Sequence, residues 1–230
     1  MLTLIRARRP LGPGAARNAG VAELRNRAET LVFCDADDIV DSEWLHFISR
    51  ALLDGSADVV GGVLSCHGLG KKSPIILAPE ADYWHLQSLF GGNIGLTRSA
   101  WELLGGFDGS LRCCEDTDLA WRAAGADLRV KVVPEAVVAV SRKAIAREFA
   151  QRIRWGFWAT RLLVKHELGY AHLPTYRELC AHRARRQDPS RMVTASLGQW
   201  IGMSFGRRFR RSESDSPTLA GNNRIRDEGM

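Results

Sequence analysis

Two clusters of acidic side chains are the residues best suited to chemistry in this 230-residue sequence, and the first contains Asp35, Asp37 and Asp38. This cluster directly follows the apolar run 30–34, which predicts a short buried strand. The carboxylates would then lie at the carboxyl end of a strand, where open α/β sheets bind ligands. Carboxylate oxygens packed this closely suit Mg²⁺ or Mn²⁺. The alternative is an acidic turn that caps the next helix.

The second cluster is formed by Glu115, Asp116 and Asp118, in the first turn of a helix predicted over 115–125. Acidic residues at a helix N-terminus are stabilised by the helix dipole, so capping alone would explain them. In a reaction, one of these carboxylates would serve as a general base. The helix N-terminus lowers the pKa of such a group, whereas burial beside other acids raises it.

A third group, Gln151, Arg154 and Trp155, falls on one face of a helix predicted over 143–166. An arginine beside a tryptophan suits a site that binds a diphosphate and stacks against a sugar ring. The competing interpretation is packing, because arginine stems commonly lie over aromatic surface.

The elements that must position these groups alternate between helices and strands, which predicts an α/β fold. Helices are predicted over 13–28, 41–53, 83–90, 115–125 and 143–166, with a short one that ends at 105–106. Strands are predicted over 30–34, 57–65, 74–78, 91–98, 128–133 and 136–140. Basic helices are expected to follow as far as residue 205.

Composition narrows the class of protein further. The chain is 45% apolar and 25% charged, with a formal net charge of +6, which fits a folded domain. It has no apolar run long enough for a membrane span or an export signal. Five cysteines without a CxxC pair argue against disulfides or zinc and favour the reducing cytoplasm. Basic residues dominate after position 135 without a nucleic-acid module, so no nucleic-acid partner is expected.

Five segments in a fixed order then point to one family. They are GPGAARNAG (12–20), FCDADD (33–38), GGNIGLTR (91–98), GGFDGSLRCCEDTDLAWRAAG (105–125) and QRIRW (151–155). In this order they resemble the family 2 glycosyltransferases, which use nucleotide-sugar donors and have the GT-A fold. The similarity covers about residues 5–165.

The resemblance implies a three-layer GT-A-like sandwich that carries out a metal-dependent, inverting, hexosyltransferase-like reaction. The donor would be a nucleotide-diphospho-sugar, and the acceptor a hydroxyl of a saccharide, a lipid or another molecule. Asp35 and Asp37 match the family's DxD motif. They would contact Mg²⁺ or Mn²⁺ and the nucleotide, with Asp38 in support.

The remaining site residues follow from the same motifs. Asp116 matches the general base, with Glu115 orienting it. Substrate-binding roles are implied for six further residues: Arg17 and Asn18 near the nucleotide, Asn93 facing the acceptor, and Gln151, Arg154 and Trp155 at the diphosphate and sugars.

Two features depart from the family pattern. The expected first strand–helix–strand unit, which holds the nucleotide base, has no counterpart before residue 12, so an N-terminally truncated domain is predicted. No histidine stands near 140–142, where many relatives have one. We therefore expect an incomplete GT-A-like domain over 1–168, a helical extension over 169–205 and a disordered tail over 206–230.

Two other functions are compatible with parts of the pattern. A truncated, non-catalytic remnant would act as a binding or membrane-surface element through its basic C-terminal helices, at the inner face of the membrane. A phosphatase that uses DxD is less favoured, because Asp38 and Ile39 stand where glycine, threonine or valine is expected. If the transferase prediction is right, nucleotide diphosphate binding requires a divalent ion and is lost in Asp37→Ala.

Overall fold

A six-stranded mixed sheet with helices on both faces lies at the centre of the molecule. The computed structural model describes residues 3–6, 12–24, 27–66, 75–77, 79, 88–140, 145–168, 173–185 and 189–214. The elements in chain order are α1 (Pro13–Glu23), β1 (Thr30–Cys34), β2 (Ile39–Val40), α2 (Trp44–Leu53), β3 (Val59–Cys66), β4 (Ile75–Leu77), β5 (Asn93–Thr97), α3 (Arg98–Leu104), α4 (Glu115–Gly125), β6 (Val130–Val140), α5 (Ile145–Lys165), α6 (Tyr176–Arg185) and α7 (Pro189–Ser214).

The order of the strands determines which loops meet. The sheet runs β1-β5-β3-β6-β2, and β4 pairs with β3. β5 is antiparallel to both β1 and β3, whereas β3 and β6 are parallel. Cys34 at the end of β1 pairs with Asn93 at the start of β5. The loop after β1 and the turn before β5 therefore lie at the same edge of the sheet.

Alternating side chains on the strands build two apolar layers. Leu31 packs with Ile94, α3 and α4 on one face of the sheet. Val60 and Val138 pack against α2 on the other face. Because successive strand residues point to opposite faces, one strand can contribute to both layers. The predicted helix–sheet–helix sandwich is confirmed.

Two differences from the predicted elements lie in the C-terminal half of the chain. The strands expected over 128–133 and 136–140 form a single strand, β6, whose register with β3 shifts between Gly61 and Val63. Helix α7 continues to Ser214, whereas a disordered tail was expected from residue 206. The helix expected over 83–90 falls largely outside the described residues.

The C-terminal helices are tied to the sheet domain by a third apolar cluster, which joins Trp121 of α4 to Leu162, Leu179 and Met203. Glycines allow α7 to approach α5 closely: Gly198, Gly202 and Gly206 are spaced by four residues and so form one stripe on α7. Within the described residues, no helix combines the length and the apolar character required to cross a bilayer.

This close approach predicts opposite effects for two glycine-to-alanine substitutions in helices. A Cβ atom at Gly202 would overlap the backbone carbonyl of Ile153, whereas a Cβ atom at Gly20 in α1 meets nothing within 4 Å. We expect Gly202→Ala to lower the free energy of unfolding by about 1–3 kcal/mol. Gly20→Ala should raise it by about 0.5–1 kcal/mol. Urea unfolding followed by circular dichroism checks both, and a stability change of the same sign in both variants would contradict this packing.

Candidate active site

The carboxylates that follow β1 converge on the turn before β5. A Cβ atom placed on Gly92 would lie 3.0 Å from Asp35 Oδ2 and 3.2 Å from Asp38 Oδ2. Asp35 is half-exposed, so this point is open to a ligand. Asp37 is also exposed. The structure thus places Asp35 and Asp38 against the same glycine, and the predicted pairing of Asp35 with Asp37 remains a prediction.

Two carboxylates are a suitable donor set for a hard divalent ion. Mg²⁺ and Mn²⁺ are commonly held by one or two carboxylates together with substrate phosphates and water. In the described part of the chain, no group of three or more Asp, Glu, His or Cys side chains could hold a metal. An ion at Asp35 and Asp38 would therefore complete its coordination with oxygens of a ligand.

The second acidic cluster begins α4, and the turn before β5 contacts it as well. The Asp116 carboxylate accepts hydrogen bonds from the backbone N–H of Gly91 at 2.9 Å and of Thr117 at 2.8 Å. Burial raises the pKa of Asp116, although these two hydrogen bonds oppose the shift. Burial and the charge of Asp116 also raise the pKa of Glu115, which is only 5% exposed. A carboxylate with a raised pKa is a stronger proton acceptor while it stays ionised.

Arg17 of α1 joins the two clusters. Its guanidinium donates to Asp35 Oδ1 at 2.8 Å and to Glu115 Oε1 at 2.7 Å. The same group lies 5.3 Å from the ring centroid of Phe107 and against the backbone of Gly91. Asp35 and Glu115 lie 18 and 98 positions after Arg17 in the chain, yet both are held at this one arginine. The Gly91–Gly92 turn lies between them.

Asn18 was expected near a nucleotide, but its side chain is hydrogen-bonded to the backbone of the loop after α3. Its amide donates to Phe107 O at 2.7 Å and accepts from Phe107 N–H at 3.0 Å. These two bonds hold Phe107 under Arg17. Asn18 therefore positions the arginine, which is a structural role that the motif alone did not indicate.

Asn93 lies in the core, whereas the sequence predicted that it faces an acceptor. The side chain is 0% exposed. Its amide accepts from Trp44 Nε1 at 2.8 Å and donates to Val63 O and Ala136 O, both at 2.9 Å. These bonds satisfy carbonyl groups at the register shift between β3 and β6 and fasten the start of α2 to β5. Asn93 thus supports the Gly91–Gly92 turn from inside, because every polar atom of its amide is used there.

Helix α5 passes close to the start of α4. The thiol of Cys114 lies 4.0 Å from the carbonyl oxygen of Trp155, and the Arg152 guanidinium lies 4.5 Å from the ring centroid of Trp155. Arg154 is exposed and has no ion-pair partner among the described residues, and Gln151 is half-buried. The predicted substrate contacts of Gln151, Arg154 and Trp155 remain predictions.

Known proteins with similar sequences are glycosyltransferases. The family model for glycosyl transferase family 2 matches residues 1–89. Two relatives, pre-mycofactocin glycosyltransferases from Mycobacterium tuberculosis strains CDC 1551 / Oshkosh and ATCC 25618 / H37Rv, are each 29% identical over 173 residues. The predicted resemblance to family 2 glycosyltransferases is confirmed. These alignments cover 67% of this chain and 36% of each relative, so the chain spans about a third of the length of these relatives.

Solved structures of glycosyltransferases share the fold. The mannosyltransferase PcManGT from Pyrobaculum calidifontis, in complex with GDP-Man and Mn²⁺, superimposes with a TM-score of 0.52 at 16% identity, over 94% of this chain and 59% of that one. GalNAc-T7 with UDP, GalNAc and Mn²⁺ gives a TM-score of 0.56 at 13% identity, over 93% of this chain and 46% of that one. The predicted GT-A-like fold is confirmed.

An ionic network that no sequence pattern predicted holds the acidic helix α4 in place. Asp118 is 0% exposed and binds Lys165 at 2.6 Å, Arg122 at 2.8 Å and His166 at 2.9 Å. Lys165 also binds Asp108 of the GGFD segment at 2.7 Å. The spacing of Asp118 and Arg122 by four residues is a signal that could have been found, but the contacts with α5 and His166 have no local sequence signature.

Proposed function

We propose that the chain transfers a sugar from a nucleotide-diphospho-sugar to an acceptor hydroxyl, with a divalent ion and inversion at the anomeric carbon. The observation that carries the proposal is the meeting of the two acidic clusters across Arg17 and the Gly91–Gly92 turn. One cluster has the oxygen ligands that a metal diphosphate needs, and the other has a carboxylate with a raised pKa. A direct displacement at the anomeric carbon requires both the metal ligands and the proton-accepting carboxylate.

On the donor side, Asp35 and Asp38 would hold Mg²⁺ or Mn²⁺, with Asp37 near the nucleotide. A bound divalent ion would supply positive charge to the departing diphosphate. Arg154 on α5 is exposed and carries a further positive charge for the same leaving group. The nucleotide sugars named with the structural neighbours, GDP-Man in one and UDP with GalNAc in the other, support a donor of this class.

On the acceptor side, Asp116 would take the proton of the attacking hydroxyl. The hydrogen bond from Gly91 N–H holds one carboxylate oxygen in place, and Thr117 N–H holds the other. Glu115 is fixed by Arg17 and keeps the start of α4 against the donor side. Gln151 and Trp155 would border the sugars. The acceptor hydroxyl belongs to a saccharide, a lipid or another molecule.

Calorimetry with UDP and GDP, with and without Mn²⁺, tests this function. We expect binding only when Mn²⁺ is present, and a loss of at least about 10-fold in affinity in Asp35→Asn and Asp38→Asn, because a charge-bearing ligand of the ion is removed. Asp35 and Asp38 both lie against Gly92, so we expect Asp37→Asn to have the smaller effect. Release of nucleotide from donor sugars then reports turnover.

An exposed acidic residue at the far end of α4 gives the matched control: Asp127→Asn should bind like the wild-type protein. Binding that does not depend on the metal would contradict the proposal. Absence of any nucleotide binding would instead favour the non-catalytic binding element.

A further inference from the structure

We propose that Arg17 is a built-in counter-cation that competes with the divalent ion for Asp35 and so couples the two acidic clusters. The inference rests on the proposed function for the location of the ion, at Asp35 and Asp38. It concerns what the protein's own side chains do before any nucleotide is present.

The guanidinium of Arg17 is held from four sides. It pairs with Asp35 and Glu115, lies over the Phe107 ring and abuts Gly91, and its side chain is only 11% exposed. A long side chain that is buried and paired in this way has few other rotamers available. Arg17 therefore remains beside the acidic clusters in the folded protein.

The two partners of Arg17 differ in how firmly they hold it. The Glu115 side chain is 6% exposed, whereas that of Asp35 is 50% exposed. Ion pairs at exposed carboxylates are weakened by water and salt, and buried ones are weakened much less. The contact with Asp35 is thus the one that yields to an incoming cation, while the contact with Glu115 is retained.

Two consequences follow from this asymmetry. Arg17 Nη2 donates a hydrogen bond to Asp35 Oδ1. The ion must therefore either displace this Nη2 group or bind Asp35 through Oδ2 alone, beside a fixed positive charge. When Arg17 leaves Asp35, the Nη2 edge of its guanidinium is free to donate to an anionic oxygen. Binding of the free ion is therefore weakened by Arg17, whereas binding of the ion together with a diphosphate is strengthened.

The affinity of Mn²⁺ alone, measured by electron paramagnetic resonance of the free ion, tests the inference. We expect Arg17→Gln to bind Mn²⁺ at least about fivefold more tightly than the wild-type protein, because a unit positive charge next to the ion is removed. Arg17→Lys keeps the charge and should stay within about twofold of the wild-type affinity. Mn²⁺–UDP should show the opposite order, with Arg17→Gln binding more weakly.

The matched control is Arg50→Gln, an exposed arginine on α2 that changes the net charge by the same amount. Its Mn²⁺ affinity should stay within about twofold of the wild type, because solvent and salt largely screen the charge of an exposed side chain. Equal or weaker Mn²⁺ binding in Arg17→Gln would overturn the proposal, as would an equal gain in Arg50→Gln.

A second measurement uses the wild-type protein, in case Arg17→Gln does not fold. The guanidinium resonances of Arg17, assigned with Arg17→Lys, should shift saturably as Mg²⁺ is added. Ion binding with unchanged Arg17 resonances would overturn the competition. Because no nucleotide or acceptor is present, this failure is distinct from a failure of the proposed function, which is judged by donor binding and turnover.

Discussion

Substitution of Asp116 by asparagine is expected to lower the rate of sugar transfer by about 10²–10⁴-fold, the usual contribution of a general base. Asparagine keeps the size of the side chain and can still accept one of the two backbone hydrogen bonds, from Gly91 N–H or from Thr117 N–H. The fold and the binding of Mn²⁺–nucleotide should therefore change little. The loss appears in kcat, because the substitution removes proton transfer and leaves donor binding in place.

Rates of nucleotide release with an acceptor, together with calorimetry of donor binding, measure the two effects separately. Asp127→Asn is the matched control, since it is an exposed aspartate at the other end of the same region, with a φ of 55° that asparagine tolerates. An Asp116→Asn variant that retains more than about a tenth of the wild-type rate would exclude this residue as the base.

Loss of the Asp118 carboxylate has the largest expected effect on stability. Asp118→Asn should lower the free energy of unfolding by about 2–4 kcal/mol, because the partly buried Arg122 and Lys165 lose the charge of a fully buried carboxylate. Those partners hold α4 against α5, and Arg122 in addition donates to the carbonyls of Leu104 and Gly106. The variant should therefore also loosen the start of α4, where Asp116 lies.

Urea unfolding measures this loss, with Asp127→Asn again as the control. A decrease in the free energy of unfolding of less than about 1 kcal/mol, the range of exposed ion pairs, would contradict the prediction. It would show that the network stabilises the fold no more than surface ion pairs do.

The pH dependence of stability follows from the same network. Burial alone would raise the pKa of Asp118, but the hydrogen bonds from Lys165 and His166 and the charge of Arg122 lower it. Asp108 is affected similarly: burial opposes the shift, and hydrogen bonds from Lys165 and Ser110 lower its pKa to about 2. Carboxylates with a lowered folded-state pKa stabilise the fold above their unfolded pKa, about 4, and lose that contribution as the pH falls through the folded value.

Wild-type stability should therefore fall between about pH 4 and pH 2, and Asp118→Asn should show a shallower fall. The raised pKa values of Glu115 and Asp116 act in the opposite direction, since their protonation favours the folded state as the pH decreases. The difference in pH dependence of stability between the wild-type protein and Asp118→Asn isolates the contribution of Asp118, because both proteins retain Glu115 and Asp116.

Local patterns in the sequence were enough to predict several elements and the chemistry of the site. The apolar run ended by an aspartate predicted β1 at residues 30–34, and the acidic start and glycine end predicted α4 at 115–125, both with the observed bounds. Pro13 predicted the first residue of α1. Such features depend on periodicity and end signals within a few residues, which the chain itself displays.

The sequence by itself thus determined several of the strands and helices, the family resemblance and the two acidic clusters. Only the tertiary structure decided that Arg17 joins those clusters, that Asp35 and Asp38 lie against Gly92, that Asn93 is buried, and that Asp118 binds residues near the end of α5. The reason is physical: contacts between distant segments depend on strand order and register. Asp35 meets the turn at residue 92 because β1 pairs with β5, a choice that no local pattern encodes.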